Sequence, residues 1–136
     1  LETGWRVPPE GVNEKLQLPP DSEVYRIHRL RLANDEPIGL HYAYLAPAVV
    51  PHINEAALTD GGSLRYLRSA PQMENGRFTR TIEAGAAEES EVNCLGMTVG
   101  APVLIIERLI TAVDGTPIEL LWASYRGDRF KYQFTL

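Results

Sequence analysis

The chain says nearly the same thing twice. Residues 24–45, VYRIHRLRLANDEPIGLHYAYL, return as residues 103–125, VLIIERLITAVDGTPIELLWASY. Val24/Val103, Ile27/Ile106, Arg29/Arg108, Leu30/Leu109, Ala33/Ala112 and Asp35/Asp114 match directly. After one extra residue, Gly115, the match continues through Pro37/Pro117, Ile38/Ile118, Leu40/Leu120 and Ala43/Ala123. Upstream, Leu16 and Leu18 align with Leu95 and Met97. A repeat this long means two copies of one supersecondary unit, which bounds the fold before any other argument. It also separates roles: residues shared by both copies read as scaffold, and residues that differ mark where a site can sit.

Each copy reads as a helix followed by a hairpin. Pro8 and Pro9 precede EGVNEKLQL, where Val12 and Leu16 share a helix face, and Pro19 and Pro20 stop it. Residues 23–33 alternate as a strand, NDEP is a turn and 38–46 form the return strand. In the second copy, residues 86–95 form a helix opened by glutamates and closed by Gly96. Residues 102–112 are then a strand, VDGT a turn and PIELLWASY the return strand. Between the copies, residues 47–58 predict a short helix after Pro51, Asp60–Gly62 a loop, and Ser63 the cap of a helix carrying Leu64 and Leu67. Pro71–Gly76 reads as a turn, and RFTRTIEA (77–84) as a strand without a counterpart in the repeat. Residues 1–8 read as an irregular lead-in or truncated linker, and KYQFTL as a last strand. Strands joined by tight turns imply an antiparallel sheet. With helices on one face, the fold class is α+β, and the domain spans residues 9–136.

Composition narrows the function. The net charge of −5, with no dense basic cluster, argues against nucleic-acid binding by this piece, since neutralising phosphates needs a concentrated Lys/Arg face. No apolar run reaches the roughly 18–20 residues of a membrane span, and LETGWRVPPE has no signal-peptide core. The one cysteine, Cys94, cannot form an internal disulfide, which suits a cytoplasmic location. No His or Cys pair sits at metal-ligand spacing, so neither metal nor cofactor is expected. The chain does not begin with Met and reads as a fragment.

The mismatches between copies supply the candidate site. Arg29 and Arg31 project from one strand face and make an anion site for a carboxylate or phosphate. Arg29 is repeated as Arg108, which favours a scaffold role for it, whereas Arg31 meets Ile110. Glu119 replaces Gly39 in an apolar strand, where a charge is costly to bury unpaired; it can hold ligand hydroxyls or an amine, or face water at an edge. His41 replaces Leu121 among small neighbours, Gly39 and Ala43, and is either a ligand contact or a satisfied structural residue. Tyr125 shares the Glu119 face, and Arg126 follows it in YRGDRF, which is alternatively a structural turn with Asp128 paired to an arginine. Thr79, Thr81 and Glu83 form a stripe that can offer hydroxyls or be plain surface, with Arg80 pointing the other way. Tyr42, Tyr44 and Trp122 read as core or interface.

The ordered set VYRIHRLR, NDEPI, Tyr44-Leu45-Ala46-Pro47, TIEA, Leu95-Gly96, GAPVLIIER, DGTPIE and YRGDRF resembles the UTRA domain, the effector-binding domain of HutC-type regulators in the GntR family. The resemblance covers roughly residues 9–136. It implies a chorismate-lyase-like fold, a homodimer and a pocket for a small anionic metabolite such as a sugar phosphate, amino-acid derivative or organic acid. It further implies operator-DNA binding through a winged helix that lies outside this chain. It implies an N-terminal strand for which LETGWRVPPE leaves little room. The family's arginines on the first strand and its glutamate after DGTPI contact effectors, which favours Arg29, Arg31 and Glu119. The resemblance also implies that His41 stands where many members carry glutamate or another polar residue, which makes it a specificity position. The effector set read from sequence is Arg29, Arg31, His41, Thr81, Glu119, Tyr125 and Arg126. Two alternatives remain beside an effector-sensing domain: a chorismate-lyase-like enzyme, against which no nucleophile–base pair is legible, and a dimerisation module with a filled pocket.

Overall fold

The computed structural model describes residues 1–59, 64–131 and 133–135. Its elements run β1 (Glu2–Arg6), α1 (Val12–Lys15), β2 (Val24–Ala33), β3 (Glu36–Leu45), β4 (Arg77–Ala86), α2 (Glu89–Leu95), β5 (Pro102–Thr111) and β6 (Pro117–Arg126). All six strands form one antiparallel sheet in the order β1-β2-β3-β6-β5-β4. The expected α+β class is borne out.

The order is symmetric about the β3–β6 pair, and this enlarges the repeat. Each half is strand–helix–hairpin, so β4 is the counterpart of β1. Two expectations are corrected here. Residues 1–8 are not an irregular lead-in: Glu2–Arg6 pairs with Val24–His28, because the β2 edge offers a ladder to any extended neighbour. Trp5 packs edge-on against Tyr25 at 5.6 Å, and Glu2 meets Arg26 at 3.0 Å. The 77–84 strand, which reaches Ala86, does have a partner in the repeat.

Turn chemistry sets the hairpins. Asn34 and Asp35 both adopt positive φ, as a two-residue loop between twisted strands requires. The second hairpin uses its extra residue differently. Gly115 takes φ +90° and Asp114 Oδ1 accepts from the Thr116 N–H at 3.0 Å. Each hairpin carries a register irregularity at the same repeat position, Arg31/Leu32 and Ile110/Thr111.

Both α-helices lie on one face of the sheet. Val12 and Leu16 pack with Val24, Tyr44 and Leu120, while Tyr42 and Trp122 are only half-buried. Asn13 Nδ2 bridges the carbonyls of Pro20 and Ser22 at 3.0 Å each, tying down the chain after α1. The glutamates that favour a helix start make a capping box in α2, between Glu88 and Glu91, and the helix ends at Gly96 with φ +65°.

The opposite face is covered by the insert between the copies. Its Val49, Ala57, Leu58, Tyr66, Leu67 and Ala70 pack on Ile27, Ala43, Leu45, Ile106, Ile110 and Leu121. The predicted helix after Pro51 is two 3-10 turns, Pro47–His52 and Glu55–Leu58, because the prolines deny an α-helix its hydrogen bonds. Leu64–Ser69 are turns rather than a helix; the loop at Asp60–Gly62 and the Ser63 cap lie outside the described residues. The predicted strand KYQFTL is not formed at Lys131 or residues 133–135, and Tyr132 and Leu136 lie outside the described residues. No helix of the described residues is long and apolar enough to cross a membrane.

Candidate functional site

Strand alternation and register bring five of the sequence-read residues onto the insert-covered face. Arg29 stands opposite His41, which stands opposite Ala123; Arg31 stands opposite Gly39, which stands opposite Tyr125. Glu119 lies further along β6 on the same face. The floor between them is small: Gly39, Ala43 and Ala123.

In the second copy the buried charge is neutralised within the chain. Arg108 is 1% exposed and Glu119 0%. Arg108 Nη2 and Nε donate to Glu119 Oε1 at 2.6 and 3.1 Å, and the Tyr66 hydroxyl donates to Oε2. Burial, and then the Glu119 charge, push the Tyr66 hydroxyl well above its ordinary range, so it remains a donor. A buried ion pair needs such additional hydrogen bonds to offset its desolvation.

The first copy holds the equivalent arginine without a carboxylate partner among the described residues. Arg108 lies opposite Leu121, two residues past Glu119; Arg29 lies opposite His41, two residues past Gly39. Arg29 is only 6% exposed. Its Nη1 donates to the Leu58 carbonyl at 3.3 Å, and its guanidinium lies 5.2 Å from the Tyr66 ring centroid. Its Nε and Nη2 have no partner among the described residues. Burial lowers the Arg29 pKa, yet a guanidinium stays charged at any physiological pH. This is a buried cation with an open bidentate edge.

Tyr125 explains why glycine occupies position 39. A Cβ there would lie 2.5 Å from the Tyr125 ring, which rests on the β3 backbone. Phe130 stacks on the ring's other side, with centroids 3.9 Å apart. The Tyr125 hydroxyl is thereby held in a hydrogen bond to His41 Nε2, while burial raises its pKa. His41 is 2% exposed and its Nδ1 has no partner among the described residues. Burial first, then the charges of Arg29, Arg31 and Arg108, lower the His41 pKa to about 3, so the ring is neutral at physiological pH. A cavity of about 200 Å³ opens beside Arg29 and Arg31, lined also by Leu1, Leu30, Leu58 and Thr59, with His41 and Tyr125 behind it rather than in its lining.

The other two sequence-read residues lie elsewhere. Thr81 and Arg126 are on the helix-covered face. Arg126 pairs with Asp128 at 2.9 Å and reaches the Leu95 carbonyl at 3.4 Å, the structural-turn alternative. Thr81 lines an acidic cleft of about 830 Å³ with Glu83, Glu88, Glu91 and Glu107. That cleft is larger than the cavity at Arg29. None of its lining side chains carries a buried unpartnered polar atom, however, and Glu107 already accepts from Lys15 at 2.7 Å and Trp122 at 2.9 Å. The candidate site is at the arginines because Arg29 Nε, Arg29 Nη2 and His41 Nδ1 lack partners among the described residues, together on one face beside a cavity, whereas Asn13 Oδ1, Arg26 Nε, His28 Nε2 and Gln72 Oε1 lie away from it. Among the described residues no group of His, Cys, Asp and Glu is placed to hold a metal.

Sequence reading missed Tyr66, Phe130 and the part played by Arg108. Nothing in the sequence signals Tyr66, which sits in an irregular insert. Arg108 was legible: a hairpin turning at Asp114 sets it diagonally across from Glu119.

The UTRA domain family model matches residues 1–131. The chain is 31% identical over 111 residues to the HTH-type transcriptional repressor NagR of Bacillus subtilis, covering 82% of this chain and 45% of NagR. It is 30% identical over 132 residues to the HTH-type transcriptional regulator Rv0792c of Mycobacterium tuberculosis, covering 94% of this chain and 48% of that protein. The chain thus spans about half the length of these relatives. A crystal structure of a transcriptional regulator from Streptomyces coelicolor superposes with TM-score 0.88 at 30% identity, covering 99% of this chain and 89% of the other. One of a GntR-family regulator from Enterococcus faecalis gives 0.83 at 25%, covering 100% and 97%. The sheet order, the helices on one face and the chorismate-lyase-like fold agree with these relatives, and the chain belongs to the UTRA domain family of GntR-type transcriptional regulators.

Proposed function

We propose that this domain senses a small anionic metabolite and sets the DNA binding of a one-component regulator, a repressor like its relative NagR. One observation carries the reading: Arg29 is buried and charged with its Nε–Nη2 edge unpartnered among the described residues, where the repeat-equivalent Arg108 is answered by Glu119. An effector carboxylate or phosphate supplies the acceptor that Gly39 cannot. Arg31 adds charge, and His41 Nδ1 and Tyr125 offer neutral hydrogen bonds to the rest of the ligand. Glu119 acts on the site through Arg108 and Tyr66. The cavity is below the ~300 Å³ at which drug-sized ligands are usually held. The effector is therefore small, or the insert shifts as it binds.

Operator DNA is contacted by a domain outside this chain, in a cytoplasmic homodimer. An effector that binds one dimer geometry more tightly shifts the population toward it and so repositions the DNA-binding domains. The domain is a sensor and not an enzyme. Calorimetric titration with sugar phosphates, amino-acid derivatives and small organic acids tests the reading. Binding of at least one class is expected, weakened more than tenfold by Arg29→Met. Binding that survives this substitution unchanged, or pyruvate release from chorismate, would overturn it.

A further inference from the structure

Tyr66 belongs to the insert, yet its side chain stands between the two copies. Its ring centroid lies 5.2 Å from the Arg29 guanidinium, and its hydroxyl donates to Glu119 Oε2. It is fully buried, and the Asn54 N–H donates to its carbonyl at 2.9 Å, which fixes its backbone within the insert. Arg29 and Glu119 are thus a buried cation and a buried anion with a phenol ring between them. Glu119 is close enough for its charge to act on Arg29, after burial, Tyr66 and Arg31.

The two oxygens of Glu119 are divided between donors. Oε1 accepts from Arg108 Nε and Nη2, and Oε2 accepts from Tyr66. A buried carboxylate oxygen that loses its donor is costly, so it takes the nearest donor that can reach it. Arg29 has Nε and Nη2 unpartnered among the described residues. Opposite charges attract strongly in a low-dielectric interior. Without the Tyr66 hydroxyl, Glu119 would therefore draw in Arg29, and the first copy would close as the second has. The ring adds a second restraint. It covers one face of the guanidinium while the Leu58 carbonyl takes Nη1, so the Nε–Nη2 edge is the side left for a ligand.

We propose that Tyr66 is a positioning residue: by occupying Glu119 Oε2 it keeps Arg29 available for an anion. This rests on the effector reading above and adds the device that holds the site open. Inorganic phosphate is the probe, followed by calorimetry and by the Arg29 Nε–H signal in NMR. Tyr66→Phe keeps the ring and removes the hydroxyl. It should weaken phosphate binding at least about tenfold, and it should move the ligand-free Arg29 signal downfield as the guanidinium meets the carboxylate. Tyr66→Gln loses the ring and keeps a donor for Glu119, so it should bind phosphate more tightly than Tyr66→Phe. A role confined to packing gives the reverse order, because phenylalanine is the closer fit. Circular dichroism checks that each variant is folded; if Tyr66→Gln is not, the ligand-free signal of Tyr66→Phe decides alone. Unchanged affinity with an unchanged Arg29 signal in Tyr66→Phe, or the reverse order of the two variants, would overturn the proposal. A wild type whose Arg29 signal ignores phosphate counts against the effector reading instead, and the ligand-free comparison still decides the role of Tyr66.

Discussion

The two halves of the sheet share a backbone plan and treat the same buried arginine in opposite ways. In the second half Arg108 is enclosed with Glu119 and Tyr66, and every strong hydrogen-bonding group of the carboxylate is used. In the first half Arg29 sits at the equivalent place, with glycine where the carboxylate stands and an aromatic ring filling the space above it. The difference teaches that the same buried arginine is paired in one unit and unpartnered among the described residues in the other, and the proposed effector site rests on that missing partner rather than on an added group.

The comparison can be broken by treating the arginines alike. Arg108→Met leaves Glu119 buried and uncompensated, and should cost about 3–5 kcal/mol in urea unfolding. Arg29→Met removes a cation that has no carboxylate partner among the described residues, and should change the stability of the ligand-free domain by less than about 1 kcal/mol or raise it. Equal losses from both substitutions would show that the halves are not different.

The mismatch of His41 with Leu121 predicts a pH dependence. The unfolded chain binds a proton at His41 near pH 6.5, and the folded chain only near 3. Above 6.5 neither state is protonated and stability is full; below it the unfolded state takes up the extra proton. Stability from this residue should therefore drain by about 1.4 kcal/mol per pH unit as pH falls from roughly 6 toward 3. Urea midpoints for wild type and His41→Gln between pH 4.5 and 7 check it; parallel profiles would sink the assignment.

The mismatch of Gly39 with Glu119 sharpens the comparison at a similar or smaller scale. Gly39→Ala drives a methyl into the Tyr125 ring and should cost about 1–3 kcal/mol as overpacking. It should also displace the Tyr125 hydroxyl from His41, seen as a change in the His41 ring signals by NMR. An unperturbed His41 would mean that the ring is not seated on this glycine.

Much of the site was legible because alternation in strands is a strict rule. Arg29, Arg31, His41, Glu119 and Tyr125 fall on one face by parity alone. The same rule, applied across the register, separates Thr81 and Arg126 from them; their motifs carried no information about which face they use. β1 was missed because its residues have little strand character of their own, and the β2 edge imposes the conformation on them. The insert was misread as α-helical because local apolar spacing cannot show that prolines and tertiary packing select 3-10 turns.

The sequence by itself determined the doubled hairpin, the antiparallel sheet and the family, since these follow from periodicity, turn chemistry and the order of short motifs. Only the tertiary structure decided that Tyr66 reaches Glu119 from an insert fifty-three residues away, and that Arg29 lacks among the described residues the carboxylate partner that Arg108 has. The physical reason is that a buried charge is defined by its partners, and those partners come from segments whose meeting no local pattern records.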